Sequence, residues 1–217
     1  MCYSLNEIEV HCRKAARGAG MHWGLAEEAG KAVRWLAGHE LPGPLLLAGL
    51  LEQQDGMAYE TLVPRTLDGV WRAGGDGLCP VITGAALADW TGTFDAGQVI
   101  ELGPIRYPLL LAFQAGSVAW RSRLAVSLAW DGAGLTVDAH QGLACGGDES
   151  ALTAATAAGV RVVVGEDAAG YRVPRLRPRA VDAGVWQRLD AFARRTYAPA
   201  SEASRLSGAG AGESFPG

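Results

Sequence analysis

The sequence predicts an α+β domain with N-terminal helices, a central and mostly antiparallel sheet, and a C-terminal helix. Three observations carry that expectation. Apolar residues recur at helical spacing over residues 1–55 and again over 181–206. Between them, over 56–180, short apolar runs are separated by glycine-bearing turns, and the clearest of them alternate with period two. No strand–helix–strand alternation and no internal repeat is visible, which argues against a parallel sheet.

The first helix is announced by Ser4-Leu5-Asn6-Glu7, a capping-box pattern in which the serine oxygen takes an orphan amide and Glu7 reaches back. Leu5, Ile8, Cys12, Ala15 and Ala16 form its apolar stripe, and Gly18-Ala19-Gly20 should stop it. A second helix is expected from Trp23 to Ala37, with Leu25, Ala26, Ala29, Val33 and Leu36 turned inward and Gly38 at its end. Leu45 to Gln54 reads as a short third helix.

In the middle, Cys79–Thr83, Gln98–Leu102 and Leu109–Phe113 read as strands, and Ala85–Trp90 as a helical turn. Leu124, Val126, Leu128 and Trp130 alternate with smaller or polar neighbours, the mark of a half-buried strand. Asp131-Gly132 then turns the chain, through a loop of about three residues, into a second strand over Leu135–His140. Gly159–Gly165 is a further strong strand and Gly170–Val173 a weaker one. Asp182 caps the last helix, whose inner face is Val185, Trp186, Leu189, Phe192 and Ala193. Ser201–Leu206 can add one more turn, and residues 207–217 form a Gly-rich tail. The whole, residues 1–217, is expected to be a single compact domain.

Composition narrows the function. The 217 residues carry a formal net charge of −4, a pI near 5.6 and a mean hydropathy of +0.09. That balance favours a globular fold and argues against a nucleic-acid partner. The densest basic run, Arg172, Arg175, Arg177 and Arg179, is punctuated by Pro174 and Pro178 and reads as an exposed extended connection. The best apolar stretch, Tyr107–Trp120, contains Pro108 and Gln114 and is too short to span a bilayer, so no membrane partner is expected. Residues 1–14 hold Glu7, Glu9, Arg13 and Lys14 and lack a signal-peptide core, which points to the cytoplasm. Cys2, Cys12, Cys79 and Cys145 lie far apart with no CxxC pair, and the histidines complete no ligand spacing. No metal and no cofactor is expected.

Three segments are candidates for chemistry. The loop Arg17-Gly18-Ala19-Gly20 enters a helix, so backbone amides there could receive an anion, with Arg17 as a clamp. Its spacing fits neither a Walker loop nor a dinucleotide fingerprint, and an ordinary inter-helix loop explains it as well. On the second helix, Glu27, Lys31 and Trp35 stand four apart, and Glu28 stands three from Lys31. Glu27, Glu28 and Lys31 form a solvated salt-bridged face on the ordinary reading, or an acid/base cluster if they are buried together. Lys31 is one of only two lysines, the other being Lys14, in a chain rich in arginine. A GC-rich genome explains the rarity, not the placement. The third segment is the tail, where Tyr197, Ser201, Glu202, Ser204 and Arg205 lead into a Gly-Ala run. Those residues can bind substrate if the tail is ordered, or belong to a floppy terminus.

The motifs SLNEIE (4–9), KAARGAG (14–20) and WGLAEEAGKA (23–32), with RTYAPASEASR (195–205) before the Gly-Ala run, resemble an uncharacterised family of small bacterial proteins, seen mainly in proteobacteria. The resemblance implies one intact unit and carries over no catalytic residue. The ending Glu213-Ser214-Phe215-Pro216-Gly217 departs from the acidic ending of that family.

Two functions of different class remain. In the first, the chain is a cytoplasmic enzyme acting on a small carboxylate- or phosphate-bearing metabolite. Arg17, Gly18, Gly20, Tyr197, Ser201, Glu202, Ser204 and Arg205 would bind it, and Glu27, Glu28 and Lys31 would perform acid/base chemistry. In the second, it is a non-catalytic accessory subunit or self-assembling module whose Gly-Ala tail and Trp-bearing helices are interface. A homodimer is the general prior for either. The enzyme reading requires the Arg17–Lys31 and Tyr197–Arg205 segments to converge on one pocket.

Overall fold

Ser4 opens the first helix as its sequence demands: its hydroxyl accepts from the Glu7 amide while the Glu7 carboxylate accepts from the Ser4 amide. The computed structural model describes residues 1–90 and 94–197. Helices α1 (Leu5–Gly18), α2 (Trp23–Gly38) and α3 (Gly43–Gln54) follow in sequence, as expected. α2 packs against both of the others. α3 is buried on nearly all sides, with Leu46, Leu47, Leu50 and Leu51 sealed from solvent. α7 (Ala183–Arg194), capped by the Asp182 carboxylate, returns to pack on α1 and α3. The α1–α7 contact is close because Gly18 has no side chain: a Cβ there would fall 1.8 Å from the Phe192 carbonyl oxygen.

The central sheet contains β2 (Val99–Leu102), β4 (Val126–Trp130), β5 (Ala133–Val137), β6 (Leu143–Gly147) and β8 (Val160–Val164) in the order β2-β8-β4-β5-β6. Every pairing is antiparallel. Register places Val126, Leu128, Val162, Leu135 and Val137 on the face that packs against helix, and Ser127, Thr136, Arg161 and Glu101 on the other. β4 and β5 are joined by Asp131 and Gly132 alone, one residue shorter than expected, with Gly132 at φ 78°. Two small antiparallel pairs complete the strands. β1 (Cys2–Tyr3) pairs with β9 (Arg179–Ala180), and β3 (Ile105–Arg106) with β7 (Thr156–Ala157).

The middle is less strand-rich than the sequence suggested. Cys79–Thr83, expected as a strand, begins helix α4 (Pro80–Asp89), and Leu109–Phe113 is a 3-10 turn leading into helix α5 (Ala112–Ser122). A short helix α6 (Glu149–Leu152) follows β6. Both misread segments are buried all round, so they show no helical period, and a short apolar run is ambiguous between strand and helix. Val81, Ile82 and Thr83 add strand-type side chains to the ambiguity. Gly170–Val173 makes only a single bridge, Leu143 with Arg172, and the stretch Arg172–Pro178 is exposed, as read from its prolines. The four cysteines are unpaired. One connected apolar cluster runs from Leu5 to Ala193 and joins helices to sheet. The proposed turn at Ser201–Leu206 and the Gly-rich tail lie outside the described residues.

Candidate functional site

α2, α4 and α5 diverge to leave a cleft of about 520 Å³. Gly24, Glu27, Glu28 and Lys31 of α2 form one wall, Asp89 with Ala85 and Ala88 of α4 a second, and Gln114, Ser117 and Arg121 of α5 a third. The helical repeat explains each wall. Glu27, Glu28 and Lys31 fall within one turn, and Gln114, Ser117 and Arg121 follow at spacings of three and four.

Glu28 is the centre of the polar contacts. Lys31 Nζ donates to its Oε1 at 2.8 Å, and Gln114 Nε2 donates to its Oε2 at 2.5 Å. Gln114 is buried, so α5 presents a fixed amide to a half-exposed carboxylate. Lys31 has its pKa raised, first by the hydrogen bond to Glu28 and further by the charges of Glu28, Glu27 and Glu9, against a smaller desolvation effect. That bond and those charges favour the ammonium form of Lys31. Arg121 Nη1 donates to the Ala88 carbonyl at 2.9 Å, tying the α5 wall to the α4 wall. Chemically the cleft offers two cations, three carboxylates and an amide. It can fix an anionic group and place a carboxylate beside it.

The sequence-derived residues separate. Glu27, Glu28 and Lys31 share this cleft. Trp35 does not extend the cluster: its indole turns away, donating to Gln141 Oε1 at 3.0 Å and lying tilted against the His39 ring, 3.9 Å between ring centres. Arg17 is engaged in its own loop, where Nη1 donates to the Met21 carbonyl and the guanidinium lies 5.4 Å from the Trp23 ring centre. Gly18 is occupied in helix packing. Gly20 lines a different cavity, which has only Leu25 in common with the cleft. Tyr197 is exposed, with Lys14 5.7 Å from its ring centre. Ser201, Glu202, Ser204 and Arg205 lie outside the described residues, and Tyr197 lines neither cavity.

Sequence reasoning missed Asp89, Gln114, Ser117 and Arg121. Reading Leu109–Phe113 as a strand hid the helical spacing that places the last three on one face. Among the described residues, no group of three or more His, Cys, Asp or Glu side chains is placed to hold a metal ion. No helix there is long and apolar enough to cross a membrane.

Fold and site together define an α+β protein with a polar cleft walled by three helices. Residues 3–75, about a third of the chain, match a family described as "Protein of unknown function (DUF3726)". The match takes in the N-terminal motifs and the α2 wall, Glu27, Glu28 and Lys31 included, and stops before α4, α5 and the tail motif. No curated protein matches the chain.

Proposed function

We propose that the α2/α4/α5 cleft, without the Arg17 and Tyr197 segments whose convergence the two-segment reading required and which do not line it, binds a small carboxylate- or phosphate-bearing metabolite and transfers a proton on it, in a cytoplasmic enzyme. Lys31 and Arg121 hold the anionic group, Glu28 accepts the proton, and Glu27 and Asp89 receive hydroxyl or amino groups of the same ligand. The observation that carries this reading is the Glu28 carboxylate gripped at once by Lys31 and Gln114 inside a 520 Å³ cleft. Gln114 comes from another helix, which a solvated helix face would not require.

The test is a thermal-shift screen of hydroxycarboxylates, amino acids and sugar phosphates, followed by NMR detection of solvent deuterium entering the hit. Wild type should be stabilised by a member of the panel and exchange its proton for deuterium. Arg121→Gln should lose the stabilisation, while Glu28→Gln should keep binding and lose exchange. A hit whose binding and exchange ignore both substitutions removes the cleft from the function.

A second reading, an accessory subunit or self-assembling module, is supported by Trp23 and Trp120, which are 62% and 66% exposed. Trp120 borders a depression beside Ser117 and Arg121 of the cleft. A silent metabolite screen together with a concentration-dependent increase in mass that Trp120→Ser abolishes would favour it.

A further inference from the structure

Residues 138–142 turn the chain from β5 to β6, and the Asp138 carboxylate fixes that turn by accepting from the amides of His140 and Gly142. The turn holds Gln141 at φ 66°, in the left-handed region that a residue other than glycine enters at a cost. Such a conformation persists where the surrounding contacts over-determine it. The contacts of Gln141 are made to two helices. Its Oε1 accepts from the Trp35 indole of α2 at 3.0 Å, and its Nε2 donates to the Gly116 carbonyl of α5 at 2.8 Å. Its main-chain carbonyl meets Nε2 of the buried His39, the C-cap of α2, at 3.0 Å. Gly116 leaves room for the amide, because a Cβ there would stand 2.8 Å from Gln141 Oε1.

A carboxamide suits this place because it carries an acceptor and a donor side by side. A carboxylate would set a second acceptor against the Gly116 carbonyl, and a leucine would leave the Trp35 indole without its partner. The clamp stands beside the cleft. Gln141 borders a depression with Ser117, Trp120 and Arg121, and Ser117 and Arg121 line the cleft as well. Trp35 follows Lys31 by one turn of α2, and Gly116 falls between Gln114 and Ser117 on α5. The two helices are therefore tied twice: by Gln114 to Glu28 at the cleft, and through Gln141 outside it. A hydrogen bond weakens steeply as its geometry opens, so the first tie depends on the spacing that the second sets.

We propose that Gln141 is a positioning residue for the cleft: its amide, fastened to α2 and α5 from the β5–β6 turn, keeps Gln114 within reach of Glu28. The catalytic consequence rests on the proton transfer proposed above. The placement of Gln114 does not.

The test follows the Gln114 side-chain amide by ¹⁵N NMR in wild type, Gln141→Leu, Trp35→Phe and His140→Ala. The Trp130 indole, which donates to the Ala151 carbonyl outside the cleft, reports on the fold. With Trp130 unmoved, Gln141→Leu should shift Gln114 toward a free carboxamide and speed its hydrogen exchange at least tenfold. Trp35→Phe removes only the α2 half of the clamp and should shift Gln114 the same way by less. His140, exposed in the same turn, should be replaceable by alanine without effect on Gln114. An unmoved Gln114 in Gln141→Leu overturns the proposal, as does an unmoved Gln114 in Trp35→Phe if Gln141→Leu fails to fold. Equal movement in His140→Ala overturns it too. With the hydroxycarboxylate, amino acid or sugar phosphate that stabilises wild type, Gln141→Leu should lose at least tenfold in deuterium exchange at saturation, while its dissociation constant changes less than threefold. Lowered stability alone does not produce that split, and unchanged exchange at saturation overturns the proposal. A panel silent toward wild type removes the proton transfer instead, and the Gln114 resonances then decide the role of Gln141 without a ligand.

Discussion

Gln114 and Glu28, 86 positions apart in the chain, meet at 2.5 Å and join α5 to α2 at the cleft. The bond runs from a buried amide to a charged carboxylate, the stronger kind of protein hydrogen bond. Lys31 reaches the same carboxylate from an exposed position three residues along its own helix. The two contacts should therefore differ in weight. Gln114→Leu should lower unfolding free energy by about 1.5–3 kcal/mol, whereas Lys31→Met should change it by no more than about 0.5 kcal/mol. Urea denaturation at low salt measures both. Equal losses would show that the cleft contacts are all surface pairs.

Gly18 and Gly20 should respond to alanine for different reasons. A Cβ at Gly18 meets the Phe192 backbone oxygen at 1.8 Å, so α7 must move away from α1. Gly18→Ala should cost about 2–4 kcal/mol, in the range of overpacked cores. Gly20 has open space around it but sits at φ 98°, so Gly20→Ala should cost only about 1 kcal/mol from backbone strain. If Gly18→Ala is as mild as Gly20→Ala, the close α1–α7 packing is wrong.

His11 stacks on Trp186 with ring centres 4.1 Å apart, and Trp186 stacks in turn on Tyr3. Burial lowers its pKa below the ordinary 6.5, opposed by the Asp190 charge and assisted by Lys14. The folded chain thus binds the proton less readily than the unfolded chain. As pH falls below about 6.5, the unfolded state is protonated first and stability drops, levelling off once the folded-state pKa is passed. Urea midpoints between pH 7.5 and 5.5 should fall for wild type and stay flatter for His11→Phe, which keeps a ring in the stack. Parallel slopes would assign the pH dependence to other groups.

The sequence was most legible where one helix face is apolar and the other polar. The Ser4–Glu7 cap, the stripes of α1 and α2, and the Asp182 cap all stand where the pattern placed them. Legibility failed where burial is complete. α4 and the turn before α5 have no polar face, and the signals available were Pro80 and Pro108, each suited to a first helical turn. β6, Leu-Ala-Cys-Gly-Gly, escaped because its small residues carry little strand preference and it lies at the sheet edge. The same division holds at the cleft. Glu28 and Lys31 lie on a readable helix, while Gln114 and Arg121 lie on one that the sequence disguised.

The proposed ligand chemistry lies between α2, α4 and α5. Two-dimensional amide NMR spectra of the labelled protein, titrated with hydroxycarboxylates and sugar phosphates, test it most directly. Saturable shifts should concentrate at Leu25, Lys31, Ala88, Gln114, Ser117 and Arg121, and should be lost in Arg121→Gln. Saturable shifts confined to residues outside these three helices, or none with any member of the panel, would contradict it.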